Sequence, residues 1–290
     1  MSELNSFQAG ERVAVITGAA GGMGRACSRR MGLTHRLVLA DVAAAACVAE
    51  ADALRSDGYD VAEALEVDVS DGAAVQRLAQ AAAAAGPLGA LVHTAGVSSD
   101  FPDWKRILRI NFQGTALLLE AFLAQATHGS VVCCIASTAG HLMAPNAEVE
   151  ALYDDPHAPG VFERLEALVP ELAQGLGVSL SQQAYIITKR GIIRMVKDGV
   201  PDWAEKGARI VCISPGLTLT SMGRSDVRNP FTASLLAKMP LRRWGTAMDV
   251  ANAANFLCSK EASFITGCDL LVDGGFVTLM TGRRAVRRFT

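Results

Sequence analysis

Short apolar runs rich in branched residues alternate with longer alanine-rich stretches along most of the chain. Seven of the short runs have the length and composition of buried strands, namely 12–17, 36–41, 64–69, 90–95, 130–137, 209–214 and 269–274. Six stretches between them are typical of helices, namely 22–33, 43–57, 71–86, 104–126, 184–206 and 246–260. Apolar strands that alternate with helices indicate a parallel sheet covered on both faces. We therefore predict a single doubly wound α/β domain with a seven-stranded parallel sheet over residues 1–290.

Residues 141–183 interrupt this alternation between the fifth strand and the next long helix. The first half of the segment is rich in turn-forming residues. In the second half, apolar residues recur at helical spacing and form one stripe, which consists of Phe162, Leu165, Leu168, Val169 and Leu172. We predict a helical insertion whose apolar stripe covers another part of the protein.

Composition and charge narrow the class of protein. Half of the 290 residues are hydrophobic and 19% are charged, which is typical of a globular chain rather than a disordered one. The net charge of −2 argues against nucleic-acid binding. The arginine-rich tail, residues 281–290, is interpreted as a solvated chain end, with a contact to an anionic ligand or partner as the alternative.

The cysteines and the N-terminal residues indicate a cytoplasmic protein. None of the seven cysteines lies in a C-x-x-C or Cys/His metal spacing, and the adjacent Cys133 and Cys134 are expected to be small buried hydrophobic residues. We infer a reducing compartment and no metal site. Residues 1–12 lack the apolar core of a signal peptide, and no apolar run reaches the ~18 residues that cross a membrane.

The clustered glycines after the first strand, Gly18, Gly21, Gly22 and Gly24, indicate a phosphate-binding loop. Glycine accepts positive φ and has no Cβ, so backbone N–H groups can face a pyrophosphate at the start of the following helix. A flexible turn would use the same glycines. The strand before them and the helical stretch after them favour the nucleotide loop.

Asp41 ends the second predicted strand. A carboxylate at that place accepts hydrogen bonds from the adenosine ribose hydroxyls and repels a 2′-phosphate, which predicts NAD in preference to NADP. The alternative role for Asp41 is an ordinary helix N-cap. Arg25 and Arg36 lie near enough in sequence to keep NADP open.

Tyr185 and Lys189 are four residues apart and share one face of a predicted helix. A tyrosine hydroxyl has a pKa of ~10, and a neighbouring ammonium favours the phenolate. Lys189 is therefore expected to lower the pKa of Tyr185 and make it a general acid/base for alcohol–ketone interconversion. Ser137 ends the fifth strand, where parallel sheets bind ligands, and its hydroxyl is placed to hold the substrate oxygen. Asn111 lies in a long helical stretch, where a buried amide needs partners.

With these residues the chain resembles the short-chain dehydrogenase/reductase family from residue 12 to about residue 277, apart from the segment 141–183. The loop "TGAAGGMG" is similar to the family's T-G-x-x-x-G-x-G, and "HTAG" (93–96) stands where the family usually has N-N-A-G. "SPGLTLT" (214–220) is similar to the motif beside the nicotinamide, and residues 242–275 are similar to the C-terminal signature. The catalytic tetrad is matched by Asn111, Ser137, Tyr185 and Lys189.

The resemblance implies a Rossmann fold and a role for each of these residues. Tyr185 would be the acid/base, Ser137 would orient the carbonyl, Lys189 would bind the nicotinamide ribose and tune Tyr185, and Asn111 would hold a relay water. The implied cofactor contacts are Gly18, Ala20, Gly21, Gly22, Met23, Gly24, Asp41, Val42, Asp68, Val69, Thr94, Ala95, Gly96, Ala136, Tyr185, Lys189, Pro215, Gly216, Leu217, Thr218 and Thr220. His93 and Thr94 replace the usual asparagines, which leaves the side-chain contacts at the end of the fourth strand open.

Ser137 and Tyr185 are 48 positions apart, and the chain is similar here to the bacterial 3α-hydroxysteroid dehydrogenase/carbonyl reductase subset, which shares an insertion. The insertion is expected either to form a lid or to replace or block a subunit contact through the long helices. The loops expected at the pocket carry Phe101, Trp104, Leu142, Met143, Met222 and Phe231. Such a pocket suits a steroid- or terpenoid-like secondary alcohol, with simple loop packing as the alternative.

The sequence thus predicts an NAD-dependent oxidoreductase that forms a homodimer or homotetramer and binds neither nucleic acid nor membrane. An NADP-preferring carbonyl reductase is one alternative. The other is a catalytically silent nucleotide sensor on the same fold, because fold alone does not fix function.

Overall fold

The computed structural model describes residues 10–142, 146–220, 235–237 and 239–281. The strands are β1 Gly10–Thr17, β2 His35–Asp41, β3 Val61–Glu66, β4 Leu88–His93, β5 Val131–Ile135, β6 Arg209–Pro215, β7 Thr218–Leu219, β8 Gly245–Thr246 and β9 Asp269–Val272. The helices are α1 Gly22–Met31, α2 Ala44–Ser56, α3 Gly72–Ala85, α4 Trp104–Ile107, α5 Gly114–Leu123, α6 Ala147–Tyr153, α7 Val161–Leu176, α8 Leu180–Asp198, α9 Val200–Glu205, α10 Ala247–Cys258 and α11 Phe276–Thr281. A π-helical segment, Leu108–Gln113, joins α4 to α5, and 3₁₀ turns span Thr138–His141 and Lys260–Ala262.

The described residues form a seven-stranded parallel sheet in the order β3-β2-β1-β4-β5-β6-β9. This confirms the predicted doubly wound α/β fold. The strand order reverses between β1 and β4, and open parallel sheets bind ligands in the crevice at such a switch point. The short strands β7 and β8 pair with each other outside this sheet.

Alternate residues of each strand face opposite helical layers, as the pleat requires. In β1, Val13 and Val15 join one apolar cluster, while Ala14 and Ile16 join the other. The first cluster is closed by residues of α3, α5 and α8, and the second by residues of α1, α2 and α10. Cys133 and Cys134 are buried in these two clusters, which confirms their predicted role as small hydrophobic residues.

Several predicted boundaries were wrong, each for a physical reason. The third strand is Val61–Glu66 rather than 64–69, because β3 lies at the edge of the sheet and its half-exposed residues lack a clear apolar run. The fifth strand ends at Ile135, and the last ends at Val272, so the residues after them belong to loops.

Two predicted helices also differ. The helix predicted at 104–126 ends at Leu123 and contains the π-helical segment. The helix predicted at 184–206 begins earlier, because Ser179 and Gln182 form a capping box at the start of α8, and it is divided at Gly199, which is followed by Pro201 in the first turn of α9.

The segment 141–183 contains α6 as well as the predicted helix, α7. Leu165 and Val169 of the predicted stripe are buried, and the other three stripe residues pack against the same cluster, so the apolar face is confirmed. Both α6 and α7 pack against α8, and α7 also packs against the π-helical segment. No helix within the described part of the chain is long and apolar enough to span a bilayer.

Candidate active site

The glycine loop between β1 and α1 forms a cradle that side chains would fill. Gly18 has a φ of +68°, and a Cβ there would lie 2.8 Å from the backbone N of Ala95. A Cβ on Gly24 would lie 2.0 Å from the carbonyl O of Gly18. Gly21 precedes α1 without a side-chain cap, so backbone N–H groups at this helix start are left for an anion. The cradle fits the pyrophosphate of a dinucleotide.

The segment after β6 approaches this loop from the other side. A Cβ on Gly22 would lie 3.1 Å from the Cβ of Thr220, so the two segments are in close proximity. The segment is held by hydrogen bonds from Gly216 N to Val272 O (3.1 Å) and from Gly245 N to Leu217 O (2.9 Å). Pro215 and the buried Thr218, both of them cofactor contacts expected from the sequence, lie in the same segment.

Asp41 is held by two backbone hydrogen bonds at the end of β2. Its Oδ2 accepts from Ala20 N and its Oδ1 from Ala43 N, both at 2.9 Å. The first bond ties β2 to the glycine loop, and the second is a turn bond before α2, which itself has no side-chain cap. The carboxylate is therefore braced beside the loop, with lone pairs left for ribose hydroxyls. Val42 next to it is exposed.

Asp68 and Val69, two of the implied cofactor contacts, lie in the turn after β3. Asp68 Oδ1 accepts from Ser70 N at 2.9 Å, and its Oδ2 lies 3.3 Å from Arg106 Nη2. Val69 is buried, and a Cβ on Gly114 would lie 2.8 Å from its Cγ2. Both residues are thus fixed by neighbours, at the carboxyl end of the strand that pairs with β2.

Ser137, Tyr185 and Lys189 meet at the carboxyl end of β5. Ser137 caps the 3₁₀ turn by accepting from Ala139 N at 3.2 Å, and it is hydrogen-bonded to the Tyr185 hydroxyl. Lys189 Nζ donates to Ile135 O at 2.9 Å and lies 5.6 Å from the centroid of the Tyr185 ring. Ala136, which lies between Ile135 and Ser137 in the sequence, is fixed by a hydrogen bond from its N to Ile213 O at 2.8 Å.

The pKa of Tyr185 departs from the expectation that Lys189 lowers it. Burial raises the pKa of Tyr185, and the hydrogen bond with Ser137 opposes this rise without overcoming it. Burial also lowers the pKa of Lys189 to about 8, which the nearby Cys212 and Cys134 thiols partly oppose. Desolvation therefore dominates both groups, and Tyr185 holds its proton at neutral pH in the protein alone.

Asn111 lies in the π-helical segment, where both ends of its side-chain amide bond to the main chain of Val97. Its Oδ1 accepts from Val97 N at 2.9 Å and its Nδ2 donates to Val97 O at 3.0 Å. A Cβ on Gly96 would lie 3.0 Å from Asn111 Oδ1 and 3.8 Å from Lys189 Nζ. Asn111 therefore fixes the chain after β4 beside Lys189. The sequence predicted the residue but carried no signal for the π-helical turn, which recurs at functional sites.

The end of β4 also holds contacts that the sequence left open. Thr94 Oγ1 donates to Thr17 O at 2.7 Å, and so joins β4 to the strand that leads into the glycine loop. His93 is buried between Thr17 and Thr115, with ring nitrogens 2.8 and 3.0 Å from their hydroxyl oxygens. Only its departure from the family's asparagine marked His93 in the sequence.

The segment 141–183 supports α8, the helix that carries Tyr185 and Lys189. Tyr153 of α6 donates its hydroxyl to Ile187 O at 2.8 Å, within the turn between Tyr185 and Lys189. The Tyr153 ring also packs on Phe112 of the π-helical segment, with centroids 5.7 Å apart. This supporting contact was not predicted from the sequence, from which we expected either a lid or a replaced or blocked subunit contact.

Among the pocket residues predicted from the sequence, Met143, Met222 and Phe231 lie outside the described residues. Phe101 and Trp104 are partly buried against the cluster that includes α8, and Ser181 of that helix donates to Phe101 O at 2.8 Å. Leu142 is 43% exposed directly after the 3₁₀ turn that begins at Ser137. The basic tail also lies outside the described residues, apart from Thr281.

Comparison with known proteins agrees with this geometry. The short chain dehydrogenase family model matches residues 12–149, and a second model, described as enoyl-(acyl carrier protein) reductase, matches residues 172–277. The short-chain dehydrogenase/reductase bsc3 of Alternaria brassicicola is 32% identical over 275 residues, which cover 92% of this chain and 96% of the relative. The chain is a short-chain dehydrogenase/reductase.

Other matches to this dehydrogenase/reductase cover nearly the whole chain. D-threitol dehydrogenase of Mycolicibacterium smegmatis is 30% identical and is covered over 94% of its length. A 7α-hydroxysteroid dehydrogenase, solved with NADH and 7-oxo glycochenodeoxycholic acid, has the same fold, with a TM-score of 0.74, 24% identity and coverage of 95% of this chain and 98% of that one. The protein is an oxidoreductase of CH–OH groups that belongs to a family using NAD or NADP.

Proposed function

We propose that this enzyme uses NAD to interconvert a lipophilic secondary alcohol and its ketone. The observation that carries the proposal is the meeting of Ser137, Tyr185 and Lys189 at the carboxyl end of β5, on the same edge of the parallel sheet as the glycine loop and Asp41. Parallel sheets bind a dinucleotide along this edge, so a cofactor on the loop would bring its reactive end toward Tyr185.

The chain's own residues supply proton transfer and positioning. NAD, when bound, supplies the hydride acceptor. Tyr185 holds a proton at neutral pH because burial raises its pKa, so it is ready to protonate the alkoxide that forms as a ketone is reduced. In the opposite direction it must take the proton of the alcohol, and Ser137, already bonded to its hydroxyl, is placed to orient the substrate oxygen.

Lys189 supports this proton transfer in a defined orientation. Its Nζ is fixed by Ile135 O, and its positive charge favours the phenolate form of Tyr185 during alcohol oxidation. The side chain of Asn111 makes two hydrogen bonds with the main chain of Val97. Any water in a proton relay would therefore have to use the remaining lone pair of Asn111 Oδ1, the second N–H of its Nδ2 or its main-chain carbonyl.

The preference for NAD is supported by the charges around Asp41. A carboxylate fixed at the end of β2 accepts hydrogen bonds from ribose hydroxyls and repels a 2′-phosphate. The two arginines that kept NADP open are both paired with carboxylates: Arg25 Nε lies 3.2 Å from Glu50 Oε2, and Arg36 Nε lies 2.9 Å from Asp60 Oδ2. Each guanidinium already has a carboxylate partner with which a 2′-phosphate would have to compete.

A lipophilic substrate is supported by the apolar side chains near the catalytic end of the crevice. Leu142 is exposed next to the turn that begins at Ser137, and Phe101 lies in the loop that Ser181 anchors. An apolar wall with one polar anchor selects a hydrophobic alcohol over a polyol.

The proposed enzyme is a homo-oligomer. Support comes from exposed apolar side chains on the edge strand β9 and close to it in sequence, namely Phe264, Leu270 and Met280. Light scattering of the purified protein measures the oligomer directly, and a monomer at micromolar concentration would contradict this part of the proposal.

The experiment that tests the function follows absorbance of the reduced nicotinamide with NAD and NADP in parallel. The substrates are steroid and terpenoid alcohols, with polyols such as threitol as the hydrophilic comparison. We expect turnover with NAD and a hydrophobic alcohol. Preference for NADP would favour the carbonyl reductase, preference for polyols would overturn the lipophilic substrate, and NADH binding without turnover on either class would favour the silent sensor.

Tyr185→Phe tests the acid/base assignment within the same assay. The variant removes the hydroxyl and keeps the ring, so we expect kcat to fall by about 100-fold or more while the Kd for NADH changes less than about twofold. NADH titration by fluorescence measures the second quantity. Activity close to that of the wild type would show that another group transfers the proton.

A further inference from the structure

A buried histidine outside the tetrad joins the cofactor loop to the catalytic asparagine. His93 is the last residue of β4 and lies directly opposite Thr17 of β1 in the sheet register. Its Nδ1 is 2.8 Å from Thr17 Oγ1, and its Nε2 is 3.0 Å from Thr115 Oγ1. The side chains of His93, Thr17 and Thr115 are all buried. Burial, with the positive charge of Lys189, lowers the pKa of His93 to about 3, so the ring is neutral at physiological pH.

The direction of these hydrogen bonds follows from their far end. Thr115 Oγ1 donates to the main-chain carbonyl O of Asn111 at 2.7 Å, and a carbonyl oxygen can only accept. Because the single hydroxyl proton of Thr115 is used there, Thr115 Oγ1 must accept from His93, which places the ring proton on Nε2. A neutral ring with its proton on Nε2 has a lone pair on Nδ1, so the Thr17 hydroxyl donates to Nδ1.

The directed chain ends on two parts of the candidate site. Thr17 precedes Gly18, and its Oγ1 also accepts from Ala95 N at 3.4 Å. Asn111 is held at its carbonyl by Thr115 and at its side chain by Val97. The segment from His93 to Val97 therefore holds the main-chain carbonyl of Asn111 through Thr115 and holds its side chain directly. The same segment also contacts the start of the glycine loop.

We propose that His93 is a positioning residue whose Nε2–H tautomer sets the spacing between the glycine loop and the π-helical segment that carries Asn111. The proposal rests on the proposed function, which assigns the loop to the cofactor and Asn111 to catalysis. The shorter side chain of asparagine, usual at this place in the family, can reach one of the two threonine hydroxyls but not both. Histidine at this position makes the link continuous.

The tautomer is tested by NMR, independently of any activity. In uniformly ¹⁵N-labelled protein at neutral pH, we expect His93 Nε2 to show the shift of a protonated ring nitrogen and Nδ1 that of an unprotonated acceptor. His93→Gln identifies the signals by their loss. In Thr115→Val the ¹³C resonance of the Asn111 carbonyl should move, because its hydrogen bond is removed. A ring proton on Nδ1, or on both nitrogens, would overturn the proposal even if the enzyme proves to use another substrate.

Kinetics of matched variants separate positioning from simple packing. Glutamine can place its amide N–H near the position of Nε2, whereas asparagine reaches only toward Thr17. We expect His93→Gln, which loses the bond to Thr17, to keep most of kcat but to raise the KM for NAD by more than about twofold. We expect His93→Asn and Thr115→Val, which lose the bond between residues 93 and 115, to lose about tenfold in kcat with the KM for NAD within about twofold. If Gln and Asn variants lost kcat equally, or if kcat followed the melting temperature alone, His93 would be a packing residue and the proposal would fail.

Discussion

At the scale of single residues, Asp41 is the proposed discriminator between NAD and NADP. Its carboxylate is braced by Ala20 N and Ala43 N, so removing it affects both charge and loop geometry. We expect Asp41→Ala to weaken NAD binding and to raise the NADP/NAD ratio of kcat/KM by about 10- to 100-fold, since repulsion of the 2′-phosphate is lost. Asp52→Ala is the matched control, because Asp52 is exposed and pairs with Arg55 on α2. An unchanged cofactor ratio in Asp41→Ala would show that specificity is set elsewhere.

His93 gives a second prediction at this scale, in the pH dependence of stability. Its pKa is about 3 in the folded protein against 6.5 for a free side chain, so the unfolded chain binds the extra proton between these values. The folded state therefore loses stability as pH falls from 6.5 toward 3 and gains nothing above 6.5. Between about pH 7.5 and about pH 4.5 this loss amounts to about 3 kcal/mol.

Denaturant unfolding of the wild type and of His93→Gln at the two pH values measures this loss. Other titrating groups are shared, so the free energy of unfolding of the variant should rise relative to that of the wild type by about 3 kcal/mol on acidification. Parallel curves would mean that His93 accepts a proton in the folded protein as readily as in the unfolded chain.

Which side chains come together was predictable where a helix turn or the end of a strand fixes their positions. Tyr185, Lys189 and Ser137 meet as predicted, because their spacing follows from a helix turn and from the end of a strand. The direction of the Tyr185 pKa was wrong, since it depends on desolvation by residues distant in sequence. His93 was noted only as a departure, because its two partners come from β1 and from the start of α5.

At the scale of elements, α6, α7 and α8 form one packed unit. Gly191 of α8 faces two aromatic rings, and a Cβ there would lie 2.7 Å from the Phe112 ring and 2.9 Å from the Tyr153 ring. The rings of the insertion and of the π-helical segment thus pack against α8 where only glycine fits. The apolar stripe of α7 was predictable as a pattern, but its partners on α8 and the π-helical segment were not, because they are distant from it in the sequence.

Gly191→Ala tests this packed unit against a matched substitution. We expect it to cost about 1–3 kcal/mol of stability and to lower kcat, because the rings or α8 must shift beside Tyr185 and Lys189. Gly175→Ala in α7 is the control: nothing lies within 4 Å of its added Cβ, and alanine favours a helix, so stability should rise by about 0.5–1 kcal/mol. The test measures the free energy of unfolding and kcat of both variants. Equal changes in the two variants would show that the packing of aromatic rings on Gly191 does not support α8.

At the scale of the whole molecule, the sheet order brings together residues that are far apart in the sequence. The alternation of apolar runs with helical stretches was enough to predict a doubly wound parallel sheet, because parallel strands buried on both faces have few other arrangements. The carboxyl ends of β1, β2, β4, β5 and β6 then carry the candidate site along one edge. The turns after these strands could not be predicted in detail, since they are set by tertiary contacts such as Gly22 against Thr220.

Cofactor binding at this edge should stabilise the whole fold. A ligand that binds only the folded state at 100 times its Kd adds about 2.7 kcal/mol, which for a chain of this size corresponds to a rise in Tm of about 5 °C. We expect this shift on adding NADH to the wild type. Gly24→Ala should abolish it, because the added Cβ would lie 2.0 Å from Gly18 O and must displace the cradle. Gly72→Ala, whose Cβ would lie an ordinary 3.7 Å from Leu117, should keep the shift. Thermal unfolding of the three proteins with and without NADH measures it, and a full shift in Gly24→Ala would place the pyrophosphate away from the glycine loop.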